Sequence, residues 1–157
     1  MQSLRTIWTN PIHFTACAFG FGALPWMPGT WATLAAIPLV IALKHFPEWL
    51  YVLVTIILVL AGIYLCEVFN RDIGTDDHPA CAWDELASFL IVMIGAPTTA
   101  FYLILGFSLF RGFDILKPWP IRWCDRNIHG GIGVMLDDVL AALFSLAILH
   151  GMLWLLR

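Results

Sequence analysis

Charge is scarce in this chain. Lys and Arg together number 8 and Asp and Glu 11, so charged residues make up 12% of the 157, while 61% are hydrophobic. A soluble domain carries about a quarter of its residues as charge, and a water-facing surface cannot be built from what is left here at a mean hydropathy of +0.85. Basic clusters of the kind that track a phosphate backbone are missing, which excludes nucleic acid as a partner. The four cysteines, Cys17, Cys66, Cys81 and Cys124, show no C-x-x-C spacing, so neither a disulfide framework nor a zinc site is expected. The N-terminal stretch MQSLRTIWTNP has one arginine, then a proline, and no small-residue cleavage site after a compact apolar run, which argues against a signal peptide.

What the chain does have is long apolar runs. Residues 48–70 supply about 20 consecutive, mainly apolar residues, enough to cross the hydrocarbon core as a helix. Residues 30–43 form a shorter apolar run before Lys44, His45 and Pro47, and the two together read as a transmembrane hairpin. Residues 85–109 are interrupted at Gly95-Ala96-Pro97-Thr98-Thr99, where proline removes a helical donor, so two short helices are expected. A last span begins at Leu136 or Val139 and runs to Leu156. Residues 12–26, broken by Gly20, Gly22 and Pro25, suit a short re-entrant or interfacial helix. The expected fold is all-α: one domain over residues 1–157, a polytopic membrane helical bundle of about five transmembrane helices plus that N-terminal helix.

Positive residues fix the expected orientation. Arg5, Arg71, Arg111, Lys117, Arg122 and Arg126 fall on one side of this arrangement and only Lys44 and Arg157 on the other, which puts the first group in the cytoplasm. Three polar segments then meet at that face: Pro28-Gly29-Thr30, residues 71–85 and residues 111–138.

The last of these holds Asp114, Asp125, Asp137 and Asp138 among Arg111, Lys117, Arg122 and Arg126. Over the three segments together carboxylates outnumber cations, which suits a hard divalent ion such as Mg²⁺. Asp137-Asp138 and Asp84-Glu85 are each expected at the head of a helix, where acids also serve simply as dipole partners. Arg111, Asp114 and Lys117 recur every three residues and share a helix face, either as a phosphate and metal site or as a solvated ion-pair ladder. Arg122 and Arg126 suit phosphate or anionic lipid equally. Trp119 and Trp123 fit a headgroup-level aromatic belt. Thr30 is an N-cap or an anion contact at a helix start. His129-Gly130-Gly131 reads as a flexible loop, His78 as a surface residue, and Glu67 as an ion-pair partner of Arg71.

In order along the chain, PGTWAT at residues 28–33, AWDE at 82–85, RGFDILKPWPIRWCDRN at 111–127 and HGGIGVMLDD at 129–138 resemble phosphatidylglycerophosphatase A. The resemblance covers residues 13–150, with Ala32 and Thr33 standing where the family has glycine and serine. It implies a Mg²⁺-dependent phosphatase of the bacterial inner (cytoplasmic) membrane, multi-pass, with its active site facing the cytoplasm. The implied substrate is the membrane lipid phosphatidylglycerophosphate, converted to phosphatidylglycerol and inorganic phosphate; no protein partner is indicated. On this reading Asp84, Glu85, Asp137 and Asp138 are catalytic. Asp84, Glu85, Asp114, Asp137 and Asp138 hold metal, and Arg111, Lys117, Arg122, Arg126 and Thr30 bind the substrate phosphate.

A transporter or ion channel with a cytoplasmic acidic site would place acids within its spans, whereas here they gather at helix ends and in loops. Neither the D-x-x-D-G-x-x-A-R run of CDP-alcohol phosphotransferases nor the P-S-G-H segment of histidine-dependent lipid phosphatases occurs.

Overall fold

In the computed structural model, which describes residues 4–155, all regular structure among the described residues is helical. Arg157, counted above for orientation, lies outside them. Seven α-helices follow in order: α1 (Pro11–Ala16), α2 (Pro28–Leu43), α3 (Glu48–Ile73), α4 (Trp83–Val92), α5 (Ala100–Leu116), α6 (Ile121–Asn127) and α7 (Gly130–Leu155). Two of them, α3 and α7, are long and apolar enough to cross a membrane. α2 and α5 are shorter, and α4, at 10 residues, extends only about 15 Å at the helical rise.

The sequence explains why α3 stands where it does. Tyr51, Thr55, Gly62, Cys66, Phe69 and Ile73 recur at three-, four- and seven-residue intervals and are buried, while Trp49, Leu53, Ile56, Ile57, Leu60 and Tyr64 are exposed. Apolar residues therefore cover both faces, and the outer one needs an apolar solvent. Gly74, left-handed at φ 85°, ends the helix with its amide donating to the Asn70 carbonyl. At the opposite end Lys44 pairs with Glu48 at 3.2 Å and lies over the Tyr51 ring.

At the centre sits α4. Every residue in it except Glu85 is buried, enclosed by α2, α3, α5 and α7. Its Phe89 and Leu90 join Phe110, Val40 and Leu149 in the main core, and the Tyr51 hydroxyl donates to the Leu90 carbonyl at 2.8 Å. In lipid, helices associate by close approach rather than by expulsion of water. Small residues make that approach here: Ala32 and Ala36 on α2, Gly62 on α3, Ala141 and Ala142 on α7.

Several expectations change. The last helix begins at Gly130 rather than at Leu136 or Val139. The glycines there are a packing surface, not a flexible loop: a Cβ at Gly131 would collide with the Ile63 carbonyl, and the Gly131 amide donates to Glu67 Oε2 at 2.6 Å. Glu67 thus caps α7 rather than pairing with Arg71, whose Nε lies 3.5 Å from Asp72. The N-terminal region is not one helix, because α1 ends at the Cys17 cap and the 3-10 segment that follows, Ala18–Ala23, is kinked where Ala18, Phe19 and Gly20 take positive φ. It is pinned by the fully buried His13, whose ring bonds Thr6 at 2.9 Å and Asp72 at 3.1 Å. Finally, α6 forms where a loop is expected, after Lys117 turns left-handed at φ 41° and ends α5.

Candidate active site

The start of α2, the loop before α4, the first turn of α4, the end of α5 and the second and third turns of α7 converge on one cavity of about 390 Å³. Six acids line it, Asp77, Asp84, Glu85, Asp114, Asp137 and Asp138, against two cations, Arg111 and Lys117. Burial makes this imbalance costly unless something else compensates the charge.

Asp84 and Glu85 stand in the first turn of α4, as the sequence predicts. Asp137 and Asp138 do not head their helix. They lie seven and eight positions into α7 because that helix starts early, and Asp138 falls on the same inward stripe as Val134, Ala141 and Ser145. Their depth follows from this: Asp84, Asp137 and Asp138 are 8%, 6% and 3% exposed.

The cations are already engaged. Arg111 Nη1 donates to Asp114 Oδ2 at 2.5 Å and lies 3.8 Å from Glu85 Oε1. Lys117 Nζ donates to Asp125 Oδ1 at 2.6 Å and to Asp137 Oδ2 at 2.5 Å. Burial alone would pull the Lys117 pKa down, but those two carboxylates outweigh it and hold the ammonium above the usual lysine range. The ladder expected from the Arg111, Asp114, Lys117 spacing is therefore real for its first two members, while the third reaches away to α6 and α7.

What remains unpartnered is informative. Asp84 Oδ1, Glu85 Oε2, Asp137 Oδ1 and Asp138 Oδ2 are all buried without a hydrogen bond. Asp84, Glu85 and Asp138 each offer an oxygen such that the three lie within 4.8 Å of one another. Converging carboxylates that also carry buried, unpartnered oxygens fit a hard divalent cation, which takes oxygen ligands.

The structure does not bring every predicted residue here. Arg122 and Arg126 are exposed on α6 and line a separate cleft with Trp119 and Trp123; Arg122 Nη2 bonds only the Leu116 carbonyl, at 3.3 Å. Their helix turns away after the Pro118 and Pro120 break, so residues close in sequence to Lys117 end on another face. Thr30 is the third residue of α2, not its cap, which is Met27. Its hydroxyl is unpartnered, but it does not line the cavity. His129 borders a smaller adjoining hollow with Asp76, Asp77 and Asp125.

Sequence reasoning missed Gly29. A Cβ there would occupy the position of the Glu85 carboxylate, with Arg111 Nη1 at 3.0 Å. The glycine of the Pro28-Gly29-Thr30 turn, not its threonine, is what admits Glu85 against the start of α2, where the helix dipole favours a negative charge. It also missed the contact of Cys66 with Cys81, since a separation of 15 positions gives no ligand spacing; the two sulfurs are 3.0 Å apart.

Comparison with known proteins identifies the family. The family model for phosphatidylglycerophosphatase A matches residues 14–153. The phosphatidylglycerophosphatase A of Escherichia coli (strain K12) is 43% identical, over 90% of this chain and 83% of that protein. That of Haemophilus influenzae is 41% identical, over 94% and 92%. A Bacteroides thetaiotaomicron protein described as a candidate phosphatidylinositol-3-phosphatase is 32% identical, over 88% and 91%. No solved structure matches the chain. A buried acidic cavity at one end of a helical bundle and a family match over nearly the whole length lead to one conclusion: this chain is an enzyme of the phosphatidylglycerophosphatase A family.

Proposed function

We propose that the chain hydrolyses the terminal phosphate monoester of phosphatidylglycerophosphate, in the biosynthesis of phosphatidylglycerol, with Mg²⁺ held by Asp84, Glu85 and Asp138. The observation that carries this reading is the set of unpartnered, converging carboxylate oxygens at the floor of the cavity. When bound, Mg²⁺ neutralises phosphoryl oxygens and lowers the pKa of a coordinated water.

The chain's own groups do the rest. Arg111 and Lys117 face the cavity as fixed cations and offset the charge of the transferring phosphoryl group, which is most of what phosphoryl transfer asks of a protein. Asp114 and Asp137 hold those cations in place by direct hydrogen bonds, and Asp137 keeps one oxygen free to orient the attacking water. Water adds to phosphorus, the phosphorus–oxygen ester bond breaks, the lipid keeps the ester oxygen and takes up a proton from the water to become a hydroxyl, and inorganic phosphate leaves.

Two further features support a lipid substrate. An apolar cleft of about 480 Å³, walled by Trp8, Leu24 and Pro25, shares Pro28 and Pro79 with the acidic cavity, so a lipid can present its phosphate while its apolar part stays beside the bundle. The charge asymmetry of the loops favours the cytoplasmic side of the inner membrane for this end, with α2 and α5 crossing beside α3 and α7.

Purified protein is given phosphatidylglycerophosphate, phosphatidic acid or phosphatidylinositol 3-phosphate, with Mg²⁺ or with EDTA, and phosphate release is measured. Mg²⁺-dependent release that prefers the first lipid is expected. Release that survives EDTA removes the metal assignment, and preference for either other lipid removes the substrate.

A further inference from the structure

Beneath the carboxylate cluster lies a second group of metal-ligating atoms. Cys66 reaches inward from α3, Cys81 ends the loop before α4, and Asp84 stands in the first turn of α4. One ligand atom from each lies within 4.8 Å of the others. Cys66 is fully buried and Cys81 is 3% exposed, all four cysteines are free thiols, and Cys81 borders the acidic cavity, which gives an ion a path to the pair. Asp84, more than nine-tenths buried, carries an oxygen with no hydrogen-bond partner.

From this juxtaposition we propose that Cys66, Cys81 and Asp84 form a binding site for a thiophilic divalent cation of the Zn²⁺ or Cd²⁺ type, separate from but overlapping the carboxylate site through their shared Asp84. Two sulfurs and one carboxylate oxygen make a three-ligand set with a fourth position open to water, the arrangement that such ions accept and that Mg²⁺ does not. Binding displaces the two thiol protons to solvent. Because Asp84 cannot serve both ions fully, an ion seated on the thiols withdraws a ligand from the catalytic cluster. The site is therefore inhibitory, and the enzyme senses a contaminating soft metal through its own active-site wall. The binding follows from these residues alone, whereas the inhibition rests on the phosphatase reading above.

The test uses the full-length protein in detergent. Cd²⁺ alone is titrated while the ultraviolet sulfur-to-cadmium charge-transfer band is followed; one equivalent is expected to saturate it in the native protein, and Cys66→Ser and Cys66→Ala are expected to lose it. In the activity arm, Zn²⁺ is titrated against saturating Mg²⁺. Both variants are expected to keep native Mg²⁺-dependent turnover and to need at least about tenfold more Zn²⁺ for half-inhibition. Absence of the band in the native protein, or a band undiminished in both variants, overturns the site even if the lipid substrate proves different. Equal Zn²⁺ sensitivity of native and variant proteins overturns the inhibitory coupling, since Zn²⁺ is then acting on the carboxylates. The alanine variant keeps the position apolar, so that loss of the band in a protein that still turns over cannot be ascribed to misfolding.

Discussion

Replacing Asp138 by asparagine separates what the acidic cluster contributes to activity from what it costs in stability. Its side chain is 3% exposed, and the replacement keeps shape while removing one charge. The ligand atoms of this cluster lie within 4.8 Å of one another, and two unit charges at that outer limit repel by about 3.5 kcal/mol at an effective dielectric of about 20. Asp138 has two such neighbours, Asp84 and Glu85; partial protonation and solvent from the cavity reduce the net relief to about 1–3 kcal/mol. The metal-free variant is therefore expected to be more stable than the native protein and to melt a few degrees higher in EDTA. With Mg²⁺ the order closes or reverses, because a cation at 100 times its Kd stabilises the native protein by about 2.7 kcal/mol and the variant forfeits most of that increment. Turnover falls at least about 100-fold. Thermal unfolding in detergent with and without Mg²⁺, beside phosphate release, reads all three quantities. A variant less stable than native in EDTA, or one turning over within about threefold of native, would refute the claim that Asp138 is a repelled ligand.

Other outcomes follow from the same geometry. Gly29→Ala puts a methyl group where the Glu85 carboxylate sits, and kcat is expected to drop at least about tenfold while expression and helicity by circular dichroism hold. Lys117→Met strands Asp125 and Asp137 and is expected to destabilise the protein by about 1–3 kcal/mol in denaturant titration, with a larger loss of turnover. A cation whose pKa is raised on folding contributes fully below the ordinary lysine value and is lost only as pH rises past the raised one. Hence no decline in activity between about pH 6 and 9 is expected to trace to Lys117; such a decline, removed by Lys117→Arg, would contradict its pairing. Arg122→Gln with Arg126→Gln is expected to leave kcat on detergent-dispersed substrate within about threefold and to weaken binding to anionic vesicles in a salt-dependent way, as measured by flotation.

How much of this was legible in the sequence depended on whether the signal was local. The apolar run of residues 48–70 and the Gly95 to Thr99 interruption are local, and α3, α4 and α5 appear within a few residues of where they are expected. The pairing of Asp84 with Glu85 at a helix start was equally plain. The start of α7 was not, because glycines that serve close helix packing look the same in sequence as glycines that serve a loop; only the Ile63 carbonyl opposite Gly131 distinguishes them. For Arg122 and Arg126 the choice between phosphate and anionic lipid stayed open in the sequence for a related reason. They follow Lys117 closely, yet the left-handed turn at Lys117 and the proline break redirect α6, and sequence proximity then says nothing about which cavity a side chain faces. Gly29 escaped because its importance lies in a carboxylate 56 positions away.

The enclosure of α4 bears on how the enzyme comes into being. A ten-residue helix tipped by two acids has neither the length nor the polarity to settle in a bilayer alone, so it must enter the membrane against partners already inserted. A further partner, α7, follows α4 in the chain and brings Asp137 and Asp138 with it. Until it docks, Asp84 and Glu85 lack Asp138 beside them, and on the proposed mechanism a chain in which α7 has not docked is expected to be inert toward lipid phosphate. Catalytic competence is thus a by-product of finished biogenesis, and recovery of activity reports topogenesis more directly than recovery of helix content does.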